Sequence, residues 1–341
     1  MAKQIIGWLL LVIISLACVP AFAEEDVVNV YSSRKEALIK PLLDDFSQQT
    51  GIKVNLITGK ADALIKRLES EGRNSPADLL ITSDAGRLHR AVLAGVLQPA
   101  HSSVLDAAIP ASYRDPEGFW YGLTIRARPI MYAKDRIDPA ELSTYEALSD
   151  GSWKRRICIR SSDNIYNQSL VASMMASQGR DKTMAWLDSF VANFAVPPRG
   201  GDRDQIMAAA VGMCDIAIAN TYYLGVMMHD RDERQREAAS KVAIFWPNQD
   251  DRGVHVNVSA IALTRSASHK DAAVRLMEYM VSDASQAWYA QSNHEYPVKE
   301  GVEASATLRA WGDFKADNIN LSLLGKNNPD AIRMMDRAGW K

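Results

Sequence analysis

Residues 27 to 95 alternate predicted strands with predicted helices, and this alternation constrains the fold more than any other feature of the chain. In chain order the elements are a strand at 27–31, a helix at 35–49, a strand at 52–57, a helix at 61–71, a strand at 79–82 and a helix at 84–94. A glycine follows each helix, which is typical because glycine adopts the left-handed conformation at a helix end without steric cost. Parallel strands need crossover connections of this length, so the pattern predicts an α/β fold with a parallel sheet and right-handed crossovers.

Polar and aromatic side chains follow four predicted strands at the point where each strand ends. They are Ser33 and Arg34, Ser83 and Asp84, Tyr166 after a strand at 157–160, and Tyr222 and Tyr223 after a strand at 215–219. Ligands of open α/β sheets bind beyond the carboxyl ends of the strands. We therefore expect these side chains to face one cleft between two lobes. We also expect Ser32 or Ser33 to cap the first helix.

The adjacent phenols of Tyr222 and Tyr223 point to metal chemistry. A strand alternates its side chains between its two faces, so two adjacent side chains can face the same site only where the strand has ended. A phenol has a pKa of about 10 and ionises at neutral pH only with strong help. A hard trivalent cation gives that help by displacing the proton, and ferric iron is the obvious candidate. The alternative is that both rings only pack in the core or at its rim.

Two arginines lie two residues apart in a predicted strand at 124–130. Arg126 and Arg128 would share one face of that strand because side chains alternate with a period of two. In one interpretation this face is a solvated edge. In the other, one of the two arginines reaches the cleft and binds an anion through two parallel hydrogen bonds.

The first 23 residues are predicted to be a secretory signal peptide. Lys3 precedes an apolar stretch at 7–19 that is too short to span a bilayer comfortably, and Ala21-Phe22-Ala23 is a suitable cleavage site. The mature chain would begin at Glu24 in an exported protein of the periplasm. Lipid modification of Cys18 is the alternative, although the residues before it form a poor lipobox.

The mature chain would hold 318 residues, with 38 Lys and Arg against 41 Asp and Glu. A net charge of −3 argues against nucleic acid or an anionic membrane surface as the main partner. The length exceeds what one core usually supports and favours two lobes.

Two cysteines remain after the predicted cleavage, and each belongs to a predicted strand. Cys158 lies in the strand at 157–160, and Cys214 directly precedes the strand at 215–219. An even number of cysteines in an oxidising compartment favours a disulfide. Two buried free thiols are the alternative.

The chain lacks the common sequence motifs of catalysis. We find no G-x-G-x-x-G after the first strand, no phosphate-binding loop, no G-x-S-x-G and no H-E-x-x-H, and the six histidines have no metal-ligand spacing. A hydrolase that uses Asp84 or Glu36 is the weakest hypothesis, because no nucleophile and base pair is visible. Asp202, within Gly200-Gly201-Asp202-Arg203-Asp204, is expected to cap the next helix.

These residues together resemble the periplasmic ferric-ion-binding proteins of bacterial ABC iron importers over essentially the whole mature chain. The segments that carry the resemblance are 29–34, 50–54, 75–78, 200–205, 220–223, 245–249, 253–259 and 294–298. The resemblance implies a two-lobed, type II "Venus flytrap" fold in which each lobe is a mixed sheet flanked by helices. It places one lobe at 24–126 plus 255–300 and the other at 127–254 plus 301–341.

The resemblance also implies a ligand set and partners. Tyr166, Tyr222 and Tyr223 would bind Fe³⁺, while Arg34 and Arg126 would hold a synergistic anion such as carbonate or bicarbonate; Arg128 remains an alternative to Arg126. The protein would be a monomer that delivers iron to an inner-membrane permease and its ATPase, with hinge motion near Ala127 and His255.

One departure from the family concerns the residues after Arg34. Many relatives carry His-Tyr there, and both can be ligands, whereas this chain has Lys35 and Glu36. The chain therefore resembles the subgroup that relies on three tyrosines and an anion. Three phenolates neutralise Fe³⁺, and two arginines offset a dianionic carbonate, so the buried site would be near neutral. A binding protein of the same fold for an organic ligand or an oxyanion without metal is the alternative.

Overall fold

The computed structural model describes residues 27–341. The predicted signal peptide and Cys18 lie outside the described residues. Among the residues from 27 onward, no helix combines the length and apolar character needed to cross a membrane.

Eleven strands are present in the described part of the chain. They are β1 (Val27–Ser32), β2 (Lys53–Thr58), β3 (Leu79–Ser83), β4 (Leu97–Gln98), β5 (Tyr121–Ala127), β6 (Ile130–Ala133), β7 (Ile157–Cys158), β8 (Ile216–Ile218), β9 (Val242–Phe245), β10 (Val256–Thr264) and β11 (Tyr296–Pro297).

Thirteen α-helices accompany these strands within residues 27–341. They are α1 (Lys40–Thr50), α2 (Ala61–Glu71), α3 (Ala85–Leu93), α4 (Ser103–Ala108), α5 (Ile165–Gln178), α6 (Arg180–Ala192), α7 (Asp202–Ala210), α8 (Thr221–Met228), α9 (Glu233–Ser240), α10 (Lys270–Met280), α11 (Asp283–Asn293), α12 (Ala306–Arg309) and α13 (Ser322–Arg337).

The first sheet has the strand order β11-β5-β10-β3-β1-β2, and β4 pairs with β10. Strands β1, β2 and β3 are parallel, as the alternating pattern predicts, and α1 and α2 connect them. β10 runs antiparallel between β3 and β5, so the sheet is mixed. Ser259 of β10 lies opposite Ser83 on one side and Thr124 on the other, and this register brings three hydroxyl side chains to one row.

The second sheet has the strand order β7-β8-β6-β9 and draws its strands from residues 130 to 245. The chain passes from the first sheet to the second between β5 and β6, and it returns between β9 and β10. The Tyr145 hydroxyl ties the two crossings together: it donates to the carbonyl oxygen of Arg128 at 2.6 Å and accepts from the His255 backbone N–H at 3.2 Å. The predicted lobe boundaries follow these crossings approximately and stay a prediction.

The predicted strand at 124–130 is wrong as a continuous element. β5 ends at Ala127, β6 begins at Ile130, and the two strands belong to different sheets. Pro129 lacks the N–H that a ladder needs, which explains the break. Arg126 and Arg128 therefore do not share a face. Both are buried, so the solvated-edge interpretation is also wrong.

The start of the first helix differs from the sequence-based expectation. The first helix begins at Lys40, after a single 3₁₀ turn at Glu36–Leu38, and neither Ser32 nor Ser33 caps it. Pro41 occupies the first turn of the helix, where its missing N–H has no intrahelical partner to lose.

The predicted disulfide between Cys158 and Cys214 is present. β7 and β8 are parallel neighbours, with Cys158 paired to Ala217, and this pairing brings the two cysteines within reach. The bridge links β7 to the segment just before β8, and Tyr166 and Tyr222 follow these two strands along the chain.

Candidate functional site

A cavity of about 420 Å³ lies where the carboxyl ends of the strands in both sheets meet. All five predicted ligand residues line it: Tyr166, Tyr222, Tyr223, Arg34 and Arg126. Ser33, Ser83, Lys35 and Glu295 are also part of its wall. Residues separated by as many as 262 positions, Ser33 and Glu295, therefore share one site.

The three phenols reach the cavity from the first turns of two helices. Tyr166 is the second residue of α5, whose N-cap Asn164 accepts a hydrogen bond from the Tyr166 backbone N–H at 3.2 Å. Tyr222 and Tyr223 follow β8 in the first turn of α8, with ring centroids 4.2 Å apart. The Tyr222 hydroxyl lies 3.5 Å from the Tyr166 hydroxyl. Two distant segments thus present three phenol groups to the same space.

The surroundings distinguish the three phenols electrostatically. Burial acts to raise the pKa of Tyr166, but the charge of Arg126 and a hydrogen bond with Tyr222 outweigh it, so the net shift of this pKa is downward. Burial and the nearby Tyr166 raise the pKa of Tyr222 and that of Tyr223. Tyr166 is therefore the first of the three to lose its proton.

Arg34 and Arg126 meet at a single serine. Arg34 Nη1 and Arg126 Nη2 both donate to Ser259 Oγ. Arg34 is 8% exposed and Arg126 is 3% exposed, and the Nε atoms of both are buried without a hydrogen-bond partner among the described residues. The Arg126 guanidinium carbon lies 5.6 Å from the centre of the Tyr222 ring. Positive charge is thus concentrated beside the phenols.

Glu295, just before β11, is the one carboxylate that residues 27–341 contribute to the cavity wall. Its Oε2 atom lies 3.1 Å from Arg34 Nη1 and accepts from Thr124 Oγ1 at 2.7 Å, while Oε1 lies 3.8 Å from Arg126 Nη2. Burial acts to raise the pKa of Glu295, but the two arginines outweigh it and lower this pKa. Glu295 is therefore an ionised carboxylate that forms ion pairs with both arginines.

Arg128 points away from the cavity and organises the elements that carry the tyrosines. Its guanidinium donates to Asp202 Oδ1 at 2.8 Å, to Asn220 Oδ1 at 3.1 Å and to Asn167 Oδ1 at 2.6 Å. Asn167 follows Tyr166, and Asn220 is the N-cap of α8. The geometry thus favours Arg126 as the arginine of the cleft.

Asp202 does not cap its helix as expected. It is the first residue of α7, Gly201 is the N-cap, and the Asp202 carboxylate accepts instead from Arg128 and from Arg160, the latter at 2.6 Å. A carboxylate that is 1% exposed needs such partners to offset its desolvation.

The remaining candidates from the sequence divide between the cavity and its surroundings. Lys35 is exposed at the cavity wall, whereas Glu36 is exposed and lies outside the wall. Asp84 is fully buried and accepts from Ser169 Oγ at 2.8 Å, from Asn257 Nδ2 at 2.9 Å and from the Gly86 N–H at 2.8 Å. Asp84 therefore anchors α5 to the first sheet and is not the accessible carboxylate that a hydrolase would need.

Sequence reasoning missed Glu295 and Ser259 as members of the site. Both lie in segments that carry the family resemblance, but only the pairing of β10 with β3 and β5 brings Ser259 beside residues 133 and 225 positions away. No local pattern distinguishes Glu295 from the other acidic residues of the chain. Across residues 27–341, no three His, Cys, Asp or Glu side chains cluster in a way that could hold a metal ion.

The fold and cleft define a two-lobed periplasmic binding protein with mixed sheets flanked by helices. Residues 42–316 match the model of the bacterial extracellular solute-binding proteins, and the chain belongs to that family.

Individual relatives agree with this assignment. Iron uptake protein A1 of Synechocystis sp. is 47% identical over 318 residues, which cover 93% of this chain and 88% of that protein. A structure of Trichodesmium IdiA (FutA) in complex with iron and citrate ligands is 49% identical, with a TM-score of 0.91 over 92% of this chain and 100% of that one. Ferric iron-binding protein A of Mannheimia haemolytica in an open conformation is 42% identical, with a TM-score of 0.87 over 92% and 99% of the two chains.

Proposed function

We propose that this protein binds ferric iron in the cavity through Tyr166, Tyr222 and Tyr223. The observation that carries the proposal is the convergence of three phenols from two segments, with two hydroxyls 3.5 Å apart. Phenolate oxygens are hard anionic donors and suit a hard trivalent cation. Relatives named for iron uptake and for ferric iron binding support the same assignment.

Iron binding would have to remove protons from the site. Tyr166 loses its proton most readily, whereas burial holds Tyr222 and Tyr223 in the neutral state. A bound trivalent cation stabilises the phenolates and displaces these protons, so binding weakens as the pH falls. Three phenolates then balance the charge of Fe³⁺, while Fe²⁺ would leave one negative charge in excess.

A synergistic anion held by Arg34 and Arg126 would complete the coordination. Both guanidinium groups are buried beside the phenols, and both Nε atoms lack a partner among the described residues. A buried donor without a partner is costly, so an oxyanion at this position would stabilise the two side chains. Carbonate or bicarbonate is the proposed anion.

The protein would act as the solute-binding component of an ABC importer. In this proposal the lobes are 24–126 plus 255–300 and 127–254 plus 301–341, and they close about the crossings near Ala127 and His255. The monomer works in the periplasm after cleavage behind Ala23. It has no catalytic role and hands iron to an inner-membrane permease driven by its ATPase.

The test is a visible absorption spectrum of metal-stripped mature protein to which ferric citrate is added, with and without bicarbonate. A phenolate-to-iron charge-transfer band that saturates at one equivalent is the expected result, and its dependence on bicarbonate reports the anion. Absence of the band would contradict the proposal. Stabilisation by small organic ligands or oxyanions, but not by ferric ion, would then support a binding protein of the same fold that needs no metal.

A further inference from the structure

Glu295 changes the charge that the arginine pair presents to an anion. The carboxylate is 4% exposed, lies 3.1 Å from Arg34 and 3.8 Å from Arg126, and accepts a hydrogen bond from Thr124. A buried carboxylate between two guanidinium groups is held in its ionised form by their charge. The two arginines and Glu295 together therefore carry one positive charge rather than two.

Two other charged side chains line the cavity, and neither restores the second positive charge. Arg203 pairs with Asp230 at 3.0 Å, so its charge is already matched. Lys35 is exposed, and solvent screens its charge. The buried part of the anion subsite thus consists of Arg34, Arg126, Glu295 and the neutral Ser259.

Charge balance in the loaded site then depends on the anion. Fe³⁺ with three phenolates is neutral, and the group of two arginines and Glu295 adds one positive charge. For this set of groups a singly charged anion gives a net charge of zero, whereas a doubly charged anion leaves one negative charge in excess. An excess charge in a buried site is costly because it is taken out of water without a partner.

We propose that Glu295 determines the specificity of the anion subsite, so that the ferric site takes a singly charged oxyanion such as hydrogencarbonate in preference to a doubly charged one. The inference rests on the proposed ferric site and adds the charge class of its second ligand. It replaces the simpler charge balance in which the two arginines alone offset the two negative charges of carbonate.

The test compares the wild-type protein with E295Q, which keeps the shape of the side chain and removes its charge. The matched control is E303Q, because Glu303 is exposed and lies outside the cavity wall. Each mature, metal-stripped protein is titrated with ferric nitrilotriacetate in buffer that has first been purged of CO₂ and is then supplemented with either hydrogencarbonate or sulfate. The charge-transfer band gives an apparent affinity for iron with each anion. The ratio of these two affinities is compared between proteins, so the difference in shape between the two anions affects each protein in the same way.

We expect E295Q to shift this ratio towards sulfate by about tenfold or more, because one unit charge has been removed within a few ångströms of the anion. E303Q should keep the wild-type ratio. An unchanged ratio in folded E295Q would overturn the inference while leaving the ferric site intact. Loss of the band with both anions in folded E295Q would also overturn it, because Glu295 would then be required for iron binding itself and not for the choice of anion. Absence of the band in the wild-type protein would instead reject the ferric site on which the inference rests.

A second measurement needs no variant and covers the case in which E295Q does not fold. Sulfate and methyl sulfate have similar shapes but carry two charges and one. The wild-type protein should retain iron against a chelator longer in methyl sulfate than in sulfate at equal concentration. Equal or longer retention in sulfate would contradict the selection of a singly charged anion.

Discussion

The hydroxyl groups of Tyr166 and Tyr222 lie 3.5 Å apart, although 56 residues separate them in the sequence. Each follows a strand of the second sheet, and β7 and β8, which precede them, are parallel neighbours. Their proximity is therefore a consequence of strand order, and the cavity is built where the chain leaves both strands in the same direction.

The first prediction concerns the phenol of Tyr222. Y222F should lower the affinity for ferric ion by more than the roughly 10- to 100-fold loss typical of changes to outer-shell partners, because it removes a direct anionic donor. The charge-transfer band in a ferric citrate titration measures the effect.

The fold of Y222F should be intact, because the lost hydroxyl has only a long contact with Tyr166. Y132F is a suitable control, since Tyr132 lies on β6 and outside the cavity wall. Unchanged iron affinity in Y222F would contradict the assignment of the site.

The second prediction separates the two buried arginines. R128M should lower the free energy of unfolding by about 3–5 kcal/mol, because Asp202 would lose one of its two charged partners and two asparagine side chains would lose their donor. R126M should lower it less and should instead abolish the dependence of iron binding on bicarbonate.

Thermal unfolding and the bicarbonate titration distinguish these effects in the same pair of proteins. The reverse outcome is an R128M protein that is as stable as the wild type and binds iron without any dependence on bicarbonate. It would show that the wrong arginine has been assigned to the cleft.

The third prediction concerns the disulfide between Cys158 and Cys214, which closes a loop of 56 residues. Replacement of both cysteines by serine should lower the free energy of unfolding by about 4 kcal/mol, since the unfolded chain regains the entropy of the open loop. Urea unfolding with and without a reductant measures this change.

Iron binding at low temperature should survive the loss of the disulfide, because neither cysteine lines the cavity. A loss of the charge-transfer band in the folded double variant would mean that the bridge also positions the tyrosines.

The fourth prediction is a dependence of stability on pH that arises from His255. Burial and the charges of Arg252 and Arg128 lower the pKa of this histidine well below its usual value. The unfolded histidine gains a proton below its ordinary pKa of about 6.5, whereas the folded one stays neutral. Stability is therefore fully present above that pH and falls as the pH drops, by about 2 kcal/mol at pH 5 from this group alone.

The free energies of unfolding of the wild-type protein and H255N are measured from about pH 7.5 to about pH 5, which brackets the ordinary histidine pKa of about 6.5. The difference between the two proteins separates the contribution of His255 from that of the carboxylates. H255N should lose less stability on acidification than the wild-type protein. Parallel curves for the two proteins would show that His255 is protonated in the folded state as well.

Much of the fold follows from local pattern. The βαβαβ segment was predictable because its glycine stops and its strand and helix periods agree with one another, and α2 has the predicted bounds. The strand through Arg126 and Arg128 was mispredicted because apolar alternation continues across Pro129, while the chain changes sheets there. A pattern with a period of two carries no information about which sheet a residue joins.

The amino-acid sequence by itself determined the α/β architecture, the paired cysteines and the phenols that follow two strands, because each depends on residue types at short spacing. Only the tertiary structure decided that Arg126 rather than Arg128 faces the cavity, that Glu295 lines it as well, and that Ser259 accepts hydrogen bonds from both arginines. Those choices depend on strand register and on contacts between residues more than 130 positions apart. The net charge of the anion subsite is therefore a property of the folded chain, since it is set by which buried groups come within a few ångströms of one another.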